Sequence, residues 1–150
     1  MERQFDQELS ELKEKLVRMA SLAETAIGLA VKALVIRDAE MARQVMTSDN
    51  AINMSEIEID DACLRLLALR HPEATDLRFI AMVFKINSDL ERMGDLAVNI
   101  AERTLDLLKE PLLKPLIDIP RMAEAAQAMV KDSLDAFIRK DATFAQEICR

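Results

Sequence analysis

Apolar residues recur along this chain at alternating steps of three and four, which is the spacing of an α-helix that buries one face. Two long stretches show this spacing and predict helices over about 3–36 and 76–108. The second stretch forms a seam of nine positions: Phe79, Val83, Ile86, Leu90, Met93, Ala97, Ile100, Thr104 and Leu107. Such seams are typical of helix bundles with small crossing angles. Gly28 lies inside the first helix, where it indicates a close contact with another helix.

Between these two helices, candidate capping residues indicate where further helices begin. Asp38 is placed to cap a short helix that ends near residue 46, and Ser48 to cap a longer one that ends near residue 70. Thr75 is placed to cap the helix over 76–108. The first part of the chain, residues 1–110, therefore predicts a helix bundle.

Three prolines, at positions 111, 115 and 120, predict a non-helical connector over residues 111–120. A fourth helix is expected to follow to about residue 140, and Asp141 to begin a short fifth. The segment after the connector repeats the start of the chain at an offset of 103 residues. The matches include Met19-Ala20 with Met122-Ala123, and Arg37-Asp38-Ala39 with Lys140-Asp141-Ala142.

The repeat predicts an all-α fold in which residues 121–150 begin a second, repeated bundle. Because it stops at Arg150, before counterparts of the second and third helices, we expect a truncated chain or a fragment. A helix without its bundle exposes its apolar face, and this favours a homodimer or domain swapping.

Composition excludes several functions. The net charge of −7 argues against nucleic acid and against binding to an anionic membrane surface. No apolar run is expected to reach the length of a membrane span, and the N-terminus has no signal-peptide core. Cys63 and Cys149 form no framework pattern, which suits a reducing cytoplasm. Cys63 falls on an apolar helix face and is interpreted as core.

Oxygen-bearing side chains form two helical stripes, and these carry the candidate chemistry. The residues at steps of three and four are Asp49, Asn53, Glu56 and Asp60 on one helix, and Glu91, Asp95, Asn99 and Glu102 on the next. At about 100° per residue, the second stripe lies roughly 160° from the apolar seam, so both stripes are expected on the bundle surface. A solvated acidic face is one interpretation. A cation that relieves the repulsion between like charges at i,i+4 is the other.

The candidate metal ligands are Glu56, Asp60, Glu91, Asp95 and Asn99. Such oxygen ligands favour Mg²⁺, Ca²⁺, Mn²⁺ or iron. The single histidine, His71, precedes a proline in a turn and is interpreted as a solvated loop residue, which weakens a di-iron oxidase interpretation. No catalytic residues are assigned, and a non-enzymatic protein is favoured. A metal-dependent helical-bundle enzyme and a purely structural interaction module remain the alternatives.

Two motifs resemble the PhoU family of phosphate-transport regulators. They are Asp49-Asn-Ala-Ile-Asn-Met-Ser-Glu-Ile-Glu-Ile-Asp60 and Ser88-Asp-Leu-Glu-Arg-Met-Gly-Asp-Leu-Ala-Val-Asn-Ile-Ala-Glu102. The resemblance implies two similar three-helix bundles and a surface metal site at the Glu56/Asp60 and Glu91/Asp95 pairs. It also implies a cytoplasmic adaptor between a phosphate ABC transporter and a phosphate-sensing histidine kinase. The end at Arg150 omits the second pair of acidic motifs and puts the second metal site in doubt.

Overall fold

The computed structural model describes the backbone of residues 2–150 and the side chains of residues 3–150. Five helices follow one another along these residues, without a strand among them. They are α1 (Glu2–Ile36), α2 (Ala39–Arg70), α3 (Ala74–Leu107), α4 (Asp118–Arg139) and α5 (Ala142–Ile148). The predicted all-α fold and the helical bundle are confirmed.

The first three helices form an antiparallel bundle whose ends are tied by polar contacts. Arg70, at the end of α2, donates two hydrogen bonds of 3.1 and 2.8 Å to the carboxylate of Glu8 in α1. Arg37, just after α1, donates to the carbonyl oxygens of Leu107 and Glu110 at the end of α3. These contacts place α1 and α3 in the same direction and α2 opposite to them.

The core has a large-residue end and an alanine end. Fully buried leucines, isoleucines and Met19 fill the first, and Ala30, Ala33, Ala42 and Ala97 lie at the second. Small side chains let helices approach closely at this second end, which includes the α1–α2 turn. Cys63 is fully buried, as predicted.

Two predicted helix starts are wrong. Residues 39–70 form one continuous helix, in which Ser48 donates to the carbonyl oxygen of Gln44 rather than capping a new helix. Helix α3 begins at Ala74, before Thr75, and its N-cap position makes no side-chain hydrogen bond. Asp38 does cap α2, accepting a bond of 3.1 Å from the backbone N–H of Met41.

The connector spans residues 108–117 rather than 111–120, because α3 ends at Leu107 and α4 begins at Asp118 with Pro120 in its first turn. A proline is tolerated there, since the first backbone N–H groups of a helix have no intrahelical partner. Asp141 caps α5, as predicted, with a bond of 2.9 Å from the N–H of Phe144.

Helix α4 packs antiparallel to α1 through residues that the repeat makes equivalent. Gln127 Nε2 donates to the carbonyl oxygen of Glu24 at 2.9 Å, and these two residues are 103 positions apart, which is the repeat offset. A Cβ on Gly28 would lie 2.5 Å from Gln127 Nε2, which confirms the predicted close helix contact. Near the other end of α4, the ring of Phe137 stacks on Phe79 of α3, with centroids 5.0 Å apart.

The apolar seam predicted on α3 is only partly the buried face. Five of its positions are buried, but Ile86, Met93 and Ile100 are half-buried, and Leu107 is 50% exposed. The buried face extends instead to Ile80, Asn87, Gly94 and Ala101. The face is therefore rotated toward the acidic stripe, and the half-buried residues line a groove beside α4.

The expectation that no apolar run reaches the length of a membrane span is wrong for α1. Within residues 3–36, one 18-residue window has a mean hydropathy of 1.7 and is long and apolar enough to cross a membrane by composition. Buried residues such as Leu16, Met19 and Ala23 account for part of this hydropathy, because they form the centre of the bundle. The same test is passed by core helices of water-soluble proteins, so the window alone is weak evidence for a span.

Candidate functional site

The two acidic stripes meet along the contact between α2 and α3, which we call the carboxylate rim: Asp49, Glu56 and Asp60 on α2, with Glu91 and Asp95 on α3. Gly94 permits this contact. A Cβ added to it would lie 3.0 Å from Ile52 Cδ1 and 3.1 Å from Asp49 Oδ1. The absence of a side chain at this position brings the two helices, and therefore their carboxylates, close together.

Asn87 is the polar centre beneath the rim, and its side chain is fully buried. Its Nδ2 donates to the backbone oxygen of Glu56, at 3.0 Å, and to Asp60 Oδ1, at 2.9 Å. These two bonds join α3 to α2 and fix the position of Asp60. The side-chain oxygen of Asn87 is buried and has no hydrogen-bond partner among the side chains and backbone that the structure describes.

Asp49 has a similar unsatisfied atom at the other end of the rim. Its Oδ2 accepts a weak bond of 3.4 Å from Asn53 Nδ2, while its Oδ1 is buried and has no partner within the described part of the chain. A buried polar atom without a partner costs about 1–3 kcal/mol, so two such oxygens along one contact call for an explanation.

Three carboxylates of the rim, Asp49, Glu56 and Glu91, have a raised pKa, through burial first and neighbouring carboxylates second. Burial, a hydrogen bond with Asp95 and the charges of Asp95, Glu56 and Asp49 raise the pKa of Glu91 to about 7. Burial and then the charge of Asp95 raise the pKa of Asp49. Burial and then the charges of Asp60 and Asp95 raise that of Glu56. The rim is therefore a group of like charges that favours a bound proton or a bound cation.

The rim is less exposed than the helical angles predicted. Glu56, Asp60 and Glu91 are half-buried rather than on an open face, because the buried face of α3 is rotated toward them. Asp95 is exposed at the edge of the group. Asn99 is exposed one turn further along α3, and no hydrogen bond joins its side chain to the rim among the described residues. The structure thus brings together four of the five predicted ligands.

Sequence reasoning missed Asn87 and Gly94. Asn87 lies four residues before Glu91, so extending the stripe by one turn adds it to the set. Gly94 lies one residue before Asp95 and is one of only two glycines in the chain. Both residues are buried beneath the rim, and the spacing of charged residues does not indicate that burial.

The donor set of the rim fits a hard cation in its chemistry. Its possible metal ligands are all carboxylate or amide oxygens. Two of the buried oxygens there, on Asp49 and Asn87, have no hydrogen-bond partner among the described residues. As the side chains stand, no three Asp, Glu, His or Cys side chains between residues 3 and 150 converge as a metal-binding group. A cation would therefore require rotamer changes in the half-buried carboxylates.

Other candidate ligands are poorly suited. Burial, and then the charge of Asp60, raises the pKa of the Cys63 thiol to about 12, so the thiolate ligand form is disfavoured. His71 is exposed at the C-terminal end of α2, where its backbone is left-handed (φ 45°).

The fold and the rim together define a class: an all-α bundle with paired Glu-x-x-x-Asp motifs on adjacent helices, followed by a repeat of its first helix. The PhoU domain model matches residues 16–104, and the chain belongs to the PhoU family. This range includes all of the rim.

Named relatives agree with this assignment. The chain is 45% identical over 141 residues to a phosphate-specific transport system accessory protein PhoU homolog of Aquifex aeolicus, covering 94% of this chain and 64% of the relative. It is 33% identical over 147 residues to the phosphate-specific transport system accessory protein PhoU of Escherichia coli K12, covering 98% and 61%. The chain thus spans about three fifths of the length of these relatives.

Solved structures show the same fold. PhoU from Pseudomonas aeruginosa superposes with a TM-score of 0.90 at 38% identity, over 95% of this chain and 69% of that one. The phosphate transport system regulatory protein PhoU from Streptococcus pneumoniae gives 0.85 at 34% identity, over 96% and 68%.

Proposed function

We propose that this chain is a non-enzymatic regulator of phosphate uptake and of phosphate-responsive signalling. It acts in the cytoplasm as an adaptor between the ATPase or permease of a phosphate ABC transporter and a sensor histidine kinase. The observation that carries the proposal is the match of the chain to the PhoU family along the bundle and the rim. The relatives' names, accessory and regulatory proteins of phosphate transport, support it.

A pull-down tests the adaptor role. The purified chain, immobilised, is incubated with the ATPase of a phosphate ABC transporter and, separately, with the cytoplasmic part of a phosphate-sensing kinase. The proposal expects saturable capture of each. Capture of neither protein would refute the adaptor role, and capture of the ATPase alone would remove the kinase from it. A chain unfolded in urea and left in denaturant controls for non-specific capture.

The carboxylate rim is proposed to hold a divalent or iron cation through Glu56, Asp60, Glu91 and Asp95, with Asn99 completing the set at its outer end. Mutual repulsion of the carboxylates supports this assignment. Beside the proposed ligands, Asp49 and Asn87 each have a buried oxygen that lacks a partner among the described residues. A cation there would neutralise the charges between α2 and α3 and tighten their contact. Metal analysis of the purified chain, with Asp95→Asn beside it, checks the site. Equal metal content in both would argue against it.

A homodimer is proposed because α4 leaves apolar surface open. Met19 of α1 is fully buried, while its repeat counterpart Met122 is 68% exposed. A cavity of about 530 Å³ between α1, α3 and α4 has an almost wholly apolar lining that includes Leu96 and Met129. A contiguous apolar surface of this kind is typical of an interface, and a second copy of the chain is the occupant we propose.

Sedimentation velocity tests the dimer. Met129→Asp, on the wall of the cavity, is expected to shift the chain from dimer to monomer. Leu64→Asp, at an exposed position on α2 outside the cavity lining, should leave the dimer intact. A monomer at all concentrations, or equal effects of the two substitutions, would contradict the proposal.

One observation favours the enzymatic alternative: a carboxyl group with a pKa of about 7 is suited to general acid–base catalysis. That alternative predicts turnover in a metal-supplemented screen of phosphate esters, abolished by Glu91→Gln. The regulatory proposal expects no turnover in wild type.

A further inference from the structure

A second groove lies at the N-terminal end of α3, far from the connector that follows its C-terminal end. It has a volume of about 460 Å³ and is enclosed by the start of α3, the end of α4 and the turn into α5. The stacked rings of Phe79 and Phe137 form its apolar floor, with an angle of 4° between their planes. Met82, 45% exposed, forms part of the wall.

The charges around this groove are cationic. Arg78 and Lys140 line it, and the ammonium group of Lys13 lies 5.2 Å from the centre of the Phe79 ring. The one lining carboxylate, Asp141, is already engaged, since it accepts bonds from the N–H of Phe144 and from Arg139. This local cationic character stands out in a chain with a net charge of −7.

These three cations lack the local ion pairs that several arginines of the chain make. Five other arginines pair with an acid three or four residues away: Arg43, Arg92, Arg103, Arg121 and Arg139. No acid occupies either spacing around Lys13, Arg78 or Lys140. Among the side chains of residues 3–150, none of the three forms an ion pair.

The internal repeat allows Lys140 to be compared with its counterpart in the first copy, Arg37. Its counterpart Arg37 has the same left-handed backbone (φ 57°) and uses its side chain to bind two carbonyl oxygens at the end of α3. Lys140 occupies the same helix-terminal position, where glycine is the usual residue, but makes no hydrogen bond with its side chain in the described residues. Lys140 therefore presents its charge at the edge of the groove, with no internal partner among the described residues.

We propose that this groove, defined by Arg78, Phe79, Phe137 and Lys140, binds an acidic segment of a protein partner. An apolar or aromatic side chain of that segment lies on the phenyl rings, and its carboxylates pair with the cations at the edge. The proposal deepens the adaptor role and rests on it for the existence of a partner. The chemistry of the groove, a broad apolar floor beside separated cations, favours a peptide over a small anion, which would use the cations alone.

Fluorescence anisotropy tests the groove directly. The probe is a labelled twelve-residue peptide of Asp, Glu and Leu with one central Phe, added to the full chain at low salt. We expect saturable binding that weakens as salt is added, because the exposed charges become screened. Replacing the peptide's acids by Asn and Gln, or its Phe by Ala, should weaken binding roughly tenfold or more in each case.

Charge reversal identifies the surface. The double substitution Arg78→Glu with Lys140→Glu is expected to weaken peptide binding at least about tenfold. Arg92→Glu, exposed on α3 and not part of the groove lining, is the matched control and should have little effect. Circular dichroism confirms that both variants fold. Phe137→Leu is a further variant that keeps an apolar side chain but removes the ring stack, and it should also weaken binding.

Several outcomes would overturn the proposal: no binding of the peptide, equal binding of the acid-free peptide, or equal effects of the groove and control substitutions. Full competition by millimolar inorganic phosphate would identify a small-anion site instead. If the double variant still captures the transporter ATPase and the kinase at wild-type level, the groove is refuted while the adaptor role stands. If wild type captures neither protein yet binds the peptide through the groove, the adaptor role fails and the groove does not.

Discussion

Glu91→Gln should stabilise the chain at alkaline pH, against the usual direction of a substitution at a half-buried site. The folded chain holds the Glu91 proton up to a pKa of about 7, whereas the ordinary value is 4.5. Between these values the folded state binds more protons than the unfolded state, so stability falls as pH rises through this window. Above about pH 7 the ionised group faces Asp95, Glu56 and Asp49, and the full repulsion is present.

The magnitude follows from the same values. One pKa unit corresponds to about 1.4 kcal/mol, so a shift from 4.5 to about 7 sets an upper limit of about 3 kcal/mol. The rim is half-buried and partly screened by water, which reduces the expected effect to about 1–2 kcal/mol. Glutamine has nearly the same shape and no charge, and it can still donate to Asp95.

Urea unfolding at pH 4 and pH 8, in the presence of EDTA, measures this effect. We expect Glu91→Gln to match wild type at pH 4, below the unfolded pKa, and to exceed it by about 1–2 kcal/mol at pH 8. Glu102→Gln, an exposed carboxylate on the same helix, is the control and should leave the pH dependence unchanged. Equal stability of Glu91→Gln and wild type at pH 8, or a loss in the variant, would refute the electrostatic account of the rim.

The remaining predictions use the same unfolding assay. Gly94→Ala should lower the free energy of unfolding by about 1 kcal/mol despite the higher helix propensity of alanine, because the added Cβ would press on buried Ile52. An unchanged urea midpoint would show that α2 moves freely. Gly28→Ala should be nearly neutral, because the gain in helix propensity offsets the bond to Glu24 that is lost when the flexible Gln127 side chain moves; a loss of 1 kcal/mol or more would contradict this. Asn87→Leu should cost about 1–3 kcal/mol by removing two bonds to α2, and a stable variant would show that apolar packing compensates for those bonds. Asp38→Ala should cost about 1 kcal/mol through loss of the α2 cap, and no loss would mean that solvent satisfies the N–H.

The sequence predicted the helices well, because apolar periodicity and strong caps are local signals. Asp38 and Asp141 act as caps in both copies of the repeat. Ser48 does not, because apolar residues before and after it, such as Val45 and Ile52, continue one buried face along α2. A serine in the middle of a helix bonds back to the preceding turn as readily as it caps, so only tertiary packing decides between the two.

The site was predicted less completely, because burial depends on how helices face one another. The spacing placed Glu91 and Asp95 on one face of α3 but assigned that face to solvent. Packing of α4 on α1 leaves Met93 and Ile100 at the edge of a groove, while Gly94 and Asn87 take the central positions against α2. Neither residue has an apolar side chain, so hydrophobic periodicity does not indicate that they are buried.

The role of the rim as a cation site is tested most directly by calorimetric titration of the chain with Mn²⁺ in two buffers that differ in ionisation enthalpy. Binding should release protons, since a cation displaces the one held by Glu91. The release should approach one proton near pH 6 and decline as pH rises through about 7. Asp95→Asn should weaken binding at least about tenfold, and Glu102→Gln should not. Absence of binding by wild type, binding without proton release at pH 6, or equal affinity of Asp95→Asn and wild type would contradict the account.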